Sequence, residues 1–206
     1  MVVFDRDSLK DRLEGVSHHC RVLFALSCAE RLFPLYELFS ERTSYGDSTC
    51  LRSTLDHLWE SVLRGQTGSK EPFLNDYESL VPGEDSEYTP FNAIAENAVA
   101  ALTYACRCQQ TGDTASAVWT AVQGYEAVDY IANTLEGIDY RTPEGEALIL
   151  KKEYVQAEIQ RQLRDIAELE EVARDVVALE RIVTTFRNRA KCEGMALVPI
   201  VSALSK

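Results

Sequence analysis

The sequence lacks the usual signs of disulfide, zinc or membrane stabilisation. Its six cysteines form no CxxC pair, and no histidines stand at zinc-finger distances from them. No apolar run approaches the ~20 residues of a membrane span, and the charged start "MVVFDRDSLKDRLEG" lacks the apolar core of a signal peptide. A chain of 206 residues buries roughly 70% of its unfolded surface and needs no such staple. We therefore expect a cytoplasmic protein with reduced, buried thiols.

Basic residues are scarce in the middle third of the chain. Residues 71–147 carry 14 acids and two arginines, whereas residues 1–70 carry 10 acids and 9 bases, and residues 148–206 carry 9 acids and 10 bases. The net charge of -12 therefore lies within the middle segment. Such a segment repels phosphates, which argues against a nucleic-acid ligand. It either serves solubility or attracts a basic partner.

Apolar residues recur with the period of a helix along nearly the whole chain. Residues 51–62 place apolar side chains at i, i+4, i+7, i+8 and i+11. The segment from Cys20 to Phe33 is apolar on almost every side, which predicts a central, buried helix. Helix starts are indicated by Thr89 and Thr142, each followed by a proline, and helix ends by Gly137 and Gly194. These patterns predict an all-α bundle of about seven helices.

The helical segment of residues 143–193 is too long for one straight helix in a domain of this size. About 50 residues would span ~75 Å. The segment either breaks into two packed helices near residues 165–175 or protrudes as a coiled coil, and we favour the break. The predicted organisation is one domain over residues 1–206, with N-terminal helices in 5–64 and acidic middle helices in 73–137.

The stretch "CAERLFPLYELFSERTSYGDS", from Cys28 to Ser48, has the composition of a functional loop. Pro34 should kink or restart a helix, while Gly46 and Asp47 form a turn and then a cap for the next helix. Neither G-x-G-x-x-G nor a phosphate-binding loop is present. We interpret the stretch as a corner between two helices.

Two charged residues, Glu30 and Arg31, lie inside the apolar segment that we expect to be buried. Because a buried charge must be paired, at least one of them should bridge to another helix. Asp56 and Glu60 are the expected partners of Arg31. With Asp47, these residues form the predicted structural polar cluster.

His57 and Glu60 stand three apart on one helix face and could share a metal ion. Di-iron bundles use the order Glu-x-x-His on two helices, whereas here the order is reversed and has no second copy. The motifs G-x-S-x-G and Cys-His are also missing. We therefore predict no catalytic residue, no metal and no cofactor.

Residues 28–60 contain four spaced motifs: Glu-Arg, Pro-x-Tyr-x-x-Phe, aromatic-Gly-Asp and Leu-Asp-x-x-Trp-Glu. They fall on Glu30, Arg31, Pro34, Tyr36, Phe39, Tyr45, Gly46, Asp47, Leu55, Asp56, Trp59 and Glu60. In these motifs the chain resembles the bacterial YjaG-like family, catalogued as domain of unknown function 416. The resemblance implies an all-α bacterial protein and brings no catalytic residues with it.

The unequal charge distribution favours a non-enzymatic binding protein. We predict an inhibitor of the immunity-protein type that neutralises a basic toxin domain, such as a nuclease, through residues 71–147. The predicted contact residues are Asp76, Tyr77, Glu78, Glu84, Asp85, Glu87, Tyr88, Asp129, Tyr130, Glu136, Asp139 and Tyr140, with Tyr125 as a further aromatic candidate.

Two alternatives stay open. One is a small enzyme or metal-binding protein that uses Glu30, Asp56, His57 and Glu60. The other is a structural homo-oligomer, such as a homodimer, built on the C-terminal helices. We expect neither nucleic acid nor a membrane as a partner.

Overall fold

The computed structural model describes residues 1–66, 80–81, 89–172 and 176–203, with the side chains of residues 176–180 excepted. These residues form α-helices joined by short connections and contain no strand. The helices are α1 (Arg6–Glu14), α2 (His18–Thr43), α3 (Ser48–Leu63), α4 (Pro90–Thr111), α5 (Thr114–Glu136), α6 (Pro143–Ile149), α7 (Glu153–Val172), α8 (Val176–Met195) and α9 (Val198–Ser202). The prediction of an all-α fold is confirmed.

Helix α2 lies at the centre of the fold. It packs against α3, α4, α5, α7, α8 and α9, and every residue from Val22 to Tyr36 is buried. Because helices surround α2, its sequence is apolar on nearly all sides. The helix continues through Pro34 instead of restarting there, because packing on every side outweighs the single backbone hydrogen bond that proline cannot donate.

A tight corner joins α2 to α3. Ser44 ends α2 in the left-handed conformation, with φ 55°, and the Asp47 side chain caps the first turn of α3. The Tyr36 hydroxyl donates to the carbonyl oxygen of Leu80 at 2.7 Å and accepts the Asp47 N–H at 3.2 Å. Gly46 has φ +78°, and a Cβ there would lie 2.3 Å from the Tyr36 hydroxyl oxygen. The stretch is therefore the predicted corner, and its unusual residues have structural roles.

The predicted caps of the middle helices are present. Thr89 forms a capping box with Asn92 at the start of α4, and the Thr142 side chain caps α6. Asp113 accepts two backbone N–H groups at the start of α5, which Gly137 ends with φ 59°. These local signals fix the two antiparallel helices α4 and α5, which pack on each other and on α2.

The chain from residue 143 to 193 is divided into separate helices. The predicted break is confirmed, since α7 ends at Val172 and α8 begins at Val176. Ion pairs join Arg161 to Glu193 and Asp165 to Arg189, so α7 and α8 run antiparallel. A second interruption separates α6 from α7, and the sequence analysis did not predict it.

Gly194 was expected to stop a helix, and this expectation is wrong. It lies inside α8, which ends at Met195. A Cβ on Gly194 would lie 2.5 Å from the carbonyl oxygen of Arg31. The glycine therefore allows the backbones of α8 and α2 to approach closely.

Replacing Gly194 by alanine should lower the free energy of unfolding by about 1–3 kcal/mol, because the added methyl group overlaps the backbone of α2. At an exposed helical position the same exchange stabilises by roughly 0.5–1 kcal/mol. A loss of stability would therefore indicate the close contact with α2. Urea unfolding measures it. Met195→Ala, at the exposed neighbouring position, is the control and should change stability by less than about 0.5 kcal/mol. A Gly194→Ala variant as stable as the wild type would contradict the close approach.

Candidate functional site

Arg31 is a buried positive charge in the middle of α2, with its side chain 1% exposed. Its Nη1 donates to Asp165 Oδ2 at 2.7 Å, and its Nε lies 3.2 Å from Glu158 Oε2. Glu193 Oε2 lies 3.6 Å from Nη1, and the Cys28 sulfur lies 3.2 Å from Nη2. Arg31 thus ties α2 to both α7 and α8.

The surroundings of Arg31 keep its guanidinium charged and the nearby thiol neutral. Burial by itself would lower the pKa of Arg31, but the carboxylates of Glu158 and Asp165 raise it well above its ordinary value. Burial raises the pKa of the Cys28 thiol, so Cys28 is a structural residue and not a thiolate nucleophile.

Further arginines on α7 and α8 complete this network. Arg164 lies 2.8 Å from Asp165 Oδ1 and 2.8 Å from Glu193 Oε1. Arg189 lies 2.9 Å from Asp165 Oδ1. The members are Arg31, Arg161, Arg164, Arg189, Glu158, Asp165, Glu168 and Glu193. We call this set the Arg31 network; its four positive and four negative charges balance.

Glu30 is a buried negative charge that anchors a second group, the Glu30 network. Arg52 donates to both carboxylate oxygens at 2.5 and 3.0 Å, and Trp59 Nε1 donates to Oε2 at 2.7 Å. Asp56 pairs with Arg52 at 2.7 Å and with Arg187 of α8. The Glu30 network therefore joins α2, α3 and α8.

The predicted partners of Arg31 are wrong. Asp56 belongs to the Glu30 network, and the exposed Glu60 pairs with Arg64. Successive residues of a helix point about 100° apart. The adjacent Glu30 and Arg31 therefore meet different neighbours, α3 on one side and α7 with α8 on the other.

The sequence did contain a signal for the true partners of Arg31. In α7, Glu158, Gln162 and Asp165 are buried together with Ile159 and Ile166, and their spacing places them on one helix face. Polar residues within an apolar stripe require buried partners. This pattern indicates that the polar face of α7 supplies the partners that Arg31 of α2 requires.

The residues considered for a metal site border a shallow depression on α3. Asp56, His57 and Glu60 line it together with Arg52, which already binds Asp56. Across residues 1–66, 80–81, 89–172 and 176–203, no group of three or more His, Cys, Asp or Glu side chains is arranged to hold a metal ion. The six cysteines form no disulfide.

A larger cleft, of about 480 Å³, opens between α4, α5 and α6. Helix α5 supplies one continuous face of it, because positions 125, 129 and 133 recur every four residues. The lining residues are Asn97, Tyr125, Glu126, Asp129, Tyr130, Asn133, Tyr140, Glu146 and Ile149. We call it the acidic cleft.

The carboxylates of the acidic cleft have no arginine or lysine partner in the part of the chain that the structure describes. Burial raises the pKa of Asp129; a 3.4 Å hydrogen bond from Tyr125 opposes this, and the charge of Glu146 adds to it. Burial and the charge of Asp129 also raise the pKa of Glu126. Burial raises the pKa of Tyr125 to about 12, so its hydroxyl remains a donor. Among the residues that the structure describes, the cleft gathers negative charge without a counter-charge.

Of the predicted contact residues, Asp129, Tyr130 and Tyr140 line the acidic cleft, and so does the further aromatic candidate Tyr125. Glu136 and Asp139 do not line it; Glu136 pairs with Lys152, and Asp139 pairs with Arg141. Five lining residues were not predicted as contacts: Asn97, Glu126, Asn133, Glu146 and Ile149. The remaining predicted contacts lie outside the described residues: Asp76, Tyr77, Glu78, Glu84, Asp85, Glu87 and Tyr88.

Together these features define an all-α protein with a core cross-linked by arginine–carboxylate networks and an unpaired acidic cleft on its surface. No described helix is long and apolar enough to cross a membrane. The chain belongs to the family described as "Protein of unknown function (DUF416)", which matches residues 8–196. The resemblance seen in residues 28–60 is thereby confirmed.

The comparisons with individual proteins agree with this assignment. The chain is 29% identical over 107 residues to "Uncharacterized protein YjaG" of Salmonella typhimurium and of Escherichia coli K12. Each match covers 50% of this chain and 52% of the relative, so the chain spans about half the length of the curated relatives it matches. The crystal structure of a DUF416 family protein from Shewanella baltica OS155 is similar, with a TM-score of 0.72 at 22% identity over 88% of this chain and 92% of that one. It shares the fold.

Replacing Arg31 by methionine should lower the free energy of unfolding by roughly 3–5 kcal/mol, because the surrounding buried carboxylates lose their nearest positive charge. Chemical denaturation measures this loss. Arg64→Met is the matched control: Arg64 pairs with Glu60 at an exposed site, where an ion pair contributes at most about 1 kcal/mol. Equal effects of the two variants would show that the Arg31 network does not hold the helices together.

Replacing Asp129 by asparagine should raise stability at about pH 7, and the gain should shrink toward about pH 4. Because the folded-state pKa of Asp129 is raised, ionisation costs more in the folded chain than in the unfolded chain. That penalty is fully present above the folded pKa and disappears below the unfolded one. Urea unfolding at both pH values measures it, with Glu37→Gln at an exposed position of α2 as the control. A clear loss of stability at neutral pH would contradict the claim that the Asp129 carboxylate lacks a stabilising counter-charge.

Proposed function

We propose that this protein is a non-enzymatic binding protein that takes a basic side chain of a partner protein into the acidic cleft. The supporting observation is that Glu126, Asp129 and Glu146 meet in one cleft and have no basic partner there among the described residues. Elsewhere in the fold, arginines hold the buried carboxylates. A bound cation would supply the missing charge.

The aromatic residues of the cleft favour the same ligand. Tyr125, Tyr130 and Tyr140 line it, and Tyr140 is 58% exposed. Tyrosine rings attract guanidinium and ammonium groups through their faces, and tyrosine is common among the residues that dominate binding energy at protein interfaces. Carboxylates beside tyrosines therefore suit an arginine or lysine side chain.

The cleft is large enough to admit a side chain of a partner protein. Small-molecule pockets measure about 300–1,000 Å³, and this cleft of about 480 Å³ lies within that range. An inserted side chain would be flanked by Asn97 and Asn133, whose amides supply further hydrogen-bonding groups. The acids along the rest of residues 71–147 would then add long-range attraction and raise the association rate.

The narrower form of this proposal is an immunity-type inhibitor that neutralises a basic toxin domain, such as a nuclease. Its support is the charge excess of residues 71–147, since an acidic partner attracts a basic domain that binds nucleic acid. In that case, the inserted side chain would come from the surface with which the toxin contacts nucleic acid.

The test is a set of pull-downs with three baits, each exposed to the native cell lysate. The cleft variant carries Glu126→Gln, Asp129→Asn and Glu146→Gln. The control variant carries Asp7→Asn, Glu37→Gln and Glu41→Gln, all at exposed positions outside the cleft, so both variants have the same net charge.

We expect the wild type and the control to retain a basic protein at about 50 mM salt and to lose most of it at about 500 mM, because salt screens exposed charges. The cleft variant should retain it at neither concentration. Mass spectrometry identifies the retained protein and tests the toxin hypothesis. Equal retention by the cleft and control variants would refute the proposed site.

A further inference from the structure

An aromatic pair lies on the surface of α4 and α5, outside the acidic cleft. Trp119 of α5 is 39% exposed, and its ring stacks on Tyr104 of α4 with 6.0 Å between the ring centroids. The Arg6 guanidinium lies 5.7 Å from the centroid of the Trp119 ring. These neighbours hold a large, partly apolar side chain in place at the surface. Tryptophan and tyrosine in such positions are common anchors of protein interfaces.

The aromatic pair and the acidic cleft lie along the same two helices. Asn97 and Tyr104 are seven residues apart in α4, and Trp119 and Glu126 are seven residues apart in α5. Because seven residues make nearly two full turns, each of these pairs lies on one helix face, with about 10 Å between its members along the axis. Asn97 and Glu126 line the acidic cleft. The surface therefore continues from the cleft to the aromatic pair.

Between its two ends this surface carries no charge. Ala100 of α4 and Gln123 of α5 are half-buried there, each about one turn from either end. The methyl group of Ala100 leaves space for another chain to approach α4. We call this surface the α4–α5 strip; its members are Asn97, Ala100, Tyr104, Trp119, Gln123 and Glu126.

The two ends of the α4–α5 strip differ in charge. The cleft end is negative, because its carboxylates have no arginine or lysine partner among the described residues. At the aromatic end, basic and acidic residues accompany each other. Arg6 lies 3.8 Å from Asp7, and the exposed Arg107 interacts with Asp113.

This arrangement favours a helix as the occupant of the strip. Two adjacent helices form a groove in which a third helix can pack, with contacts that recur about every seven residues. A helix carries a positive partial charge at its N-terminus, so that end would lie at the acidic cleft. A basic side chain near that end would enter the cleft, and an apolar side chain seven residues further on would reach Trp119. An extended segment has neither this dipole nor this spacing.

We propose that the basic side chain taken into the acidic cleft belongs to a helix of the partner protein, which docks along the α4–α5 strip. A large apolar residue, seven positions after the basic one, packs on Trp119 and Tyr104. This inference rests on the proposed function, since the same basic residue enters the cleft. It adds the secondary structure of the partner, its direction and a second contact.

The experiment compares three blocked, alanine-rich peptides of about 18 residues, a length at which such a sequence forms a helix in isolation. The matched peptide carries an arginine and, seven positions later, a leucine. The shifted peptide carries the leucine five positions after the arginine, on another face of the helix. The broken peptide has the matched spacing with a proline between the two residues, which disrupts the helix. NMR titrations follow the indole N–H signal of Trp119 and the backbone amide signal of Asn133 in the cleft.

The matched peptide should shift both signals and bind about tenfold more tightly than the other two, because it alone brings both side chains onto the strip. All three peptides contain arginine and should shift the Asn133 signal. In Trp119→Ala the matched peptide should bind no better than the shifted one. Leu63→Ala is the control, since Leu63 is 42% exposed on α3, and it should leave the preference unchanged.

The possible failures can be told apart. Equal affinities of the matched and shifted peptides, with the Asn133 signal shifted by both, would overturn the helical docking and leave the proposed function standing. Equal binding of the broken peptide would show that the ligand is extended and would also overturn it. If no peptide shifts the Asn133 signal, the acidic cleft does not take up arginine, and the proposed function fails together with this inference.

Discussion

A guanidinium whose side chain is 1% exposed stays charged in a helical core only if carboxylates surround it, and this requirement decides where three helices lie. Arg31 draws Glu158 and Asp165 of α7 and Glu193 of α8 onto α2. The close approach that this demands is possible because Gly194 has no side chain. Charge pairing and backbone packing therefore act at the same place.

Two sets of carboxylates among the described residues serve different ends. Those around Arg31 and Arg52 are paired with arginines, so they fix the relative positions of α2, α3, α7 and α8. In the acidic cleft Asp129 is half-buried, whereas Glu126 and Glu146 are exposed, and none of the three has an arginine or lysine partner among the described residues. Partial desolvation raises the pKa of Glu126 and Asp129. A raised carboxylate pKa costs stability at neutral pH in the free protein, and a bound cation would relieve that cost. This contrast is the physical basis of the proposed binding function.

Local signals in the sequence predicted most of the helices, their caps and the break between α7 and α8, because each depends on residues close together in the chain; they did not predict the interruption between α6 and α7. They also indicated that Glu30 and Arg31 need partners, but not which ones. The carboxylate partners of Arg31 lie more than 120 residues away in the sequence; Asp165, for example, is separated from it by 134 positions. The prediction for Gly194 was wrong for the same reason, because a glycine is required there by the close backbone of α2, which is distant in the sequence. The acidic cleft was only partly predicted, because net charge along the chain does not tell which acids are paired.

The most direct test of the contrast between paired and unpaired carboxylates is an NMR titration with two blocked tripeptides, Gly-Arg-Gly and Gly-Gln-Gly. The arginine peptide should shift the backbone amide signals of Tyr130, Asn133 and Ile149 at about 50 mM salt and much less at about 500 mM. The glutamine peptide should leave them unchanged. Equal responses to both peptides, or shifts from the arginine peptide confined to other surfaces, would contradict the account.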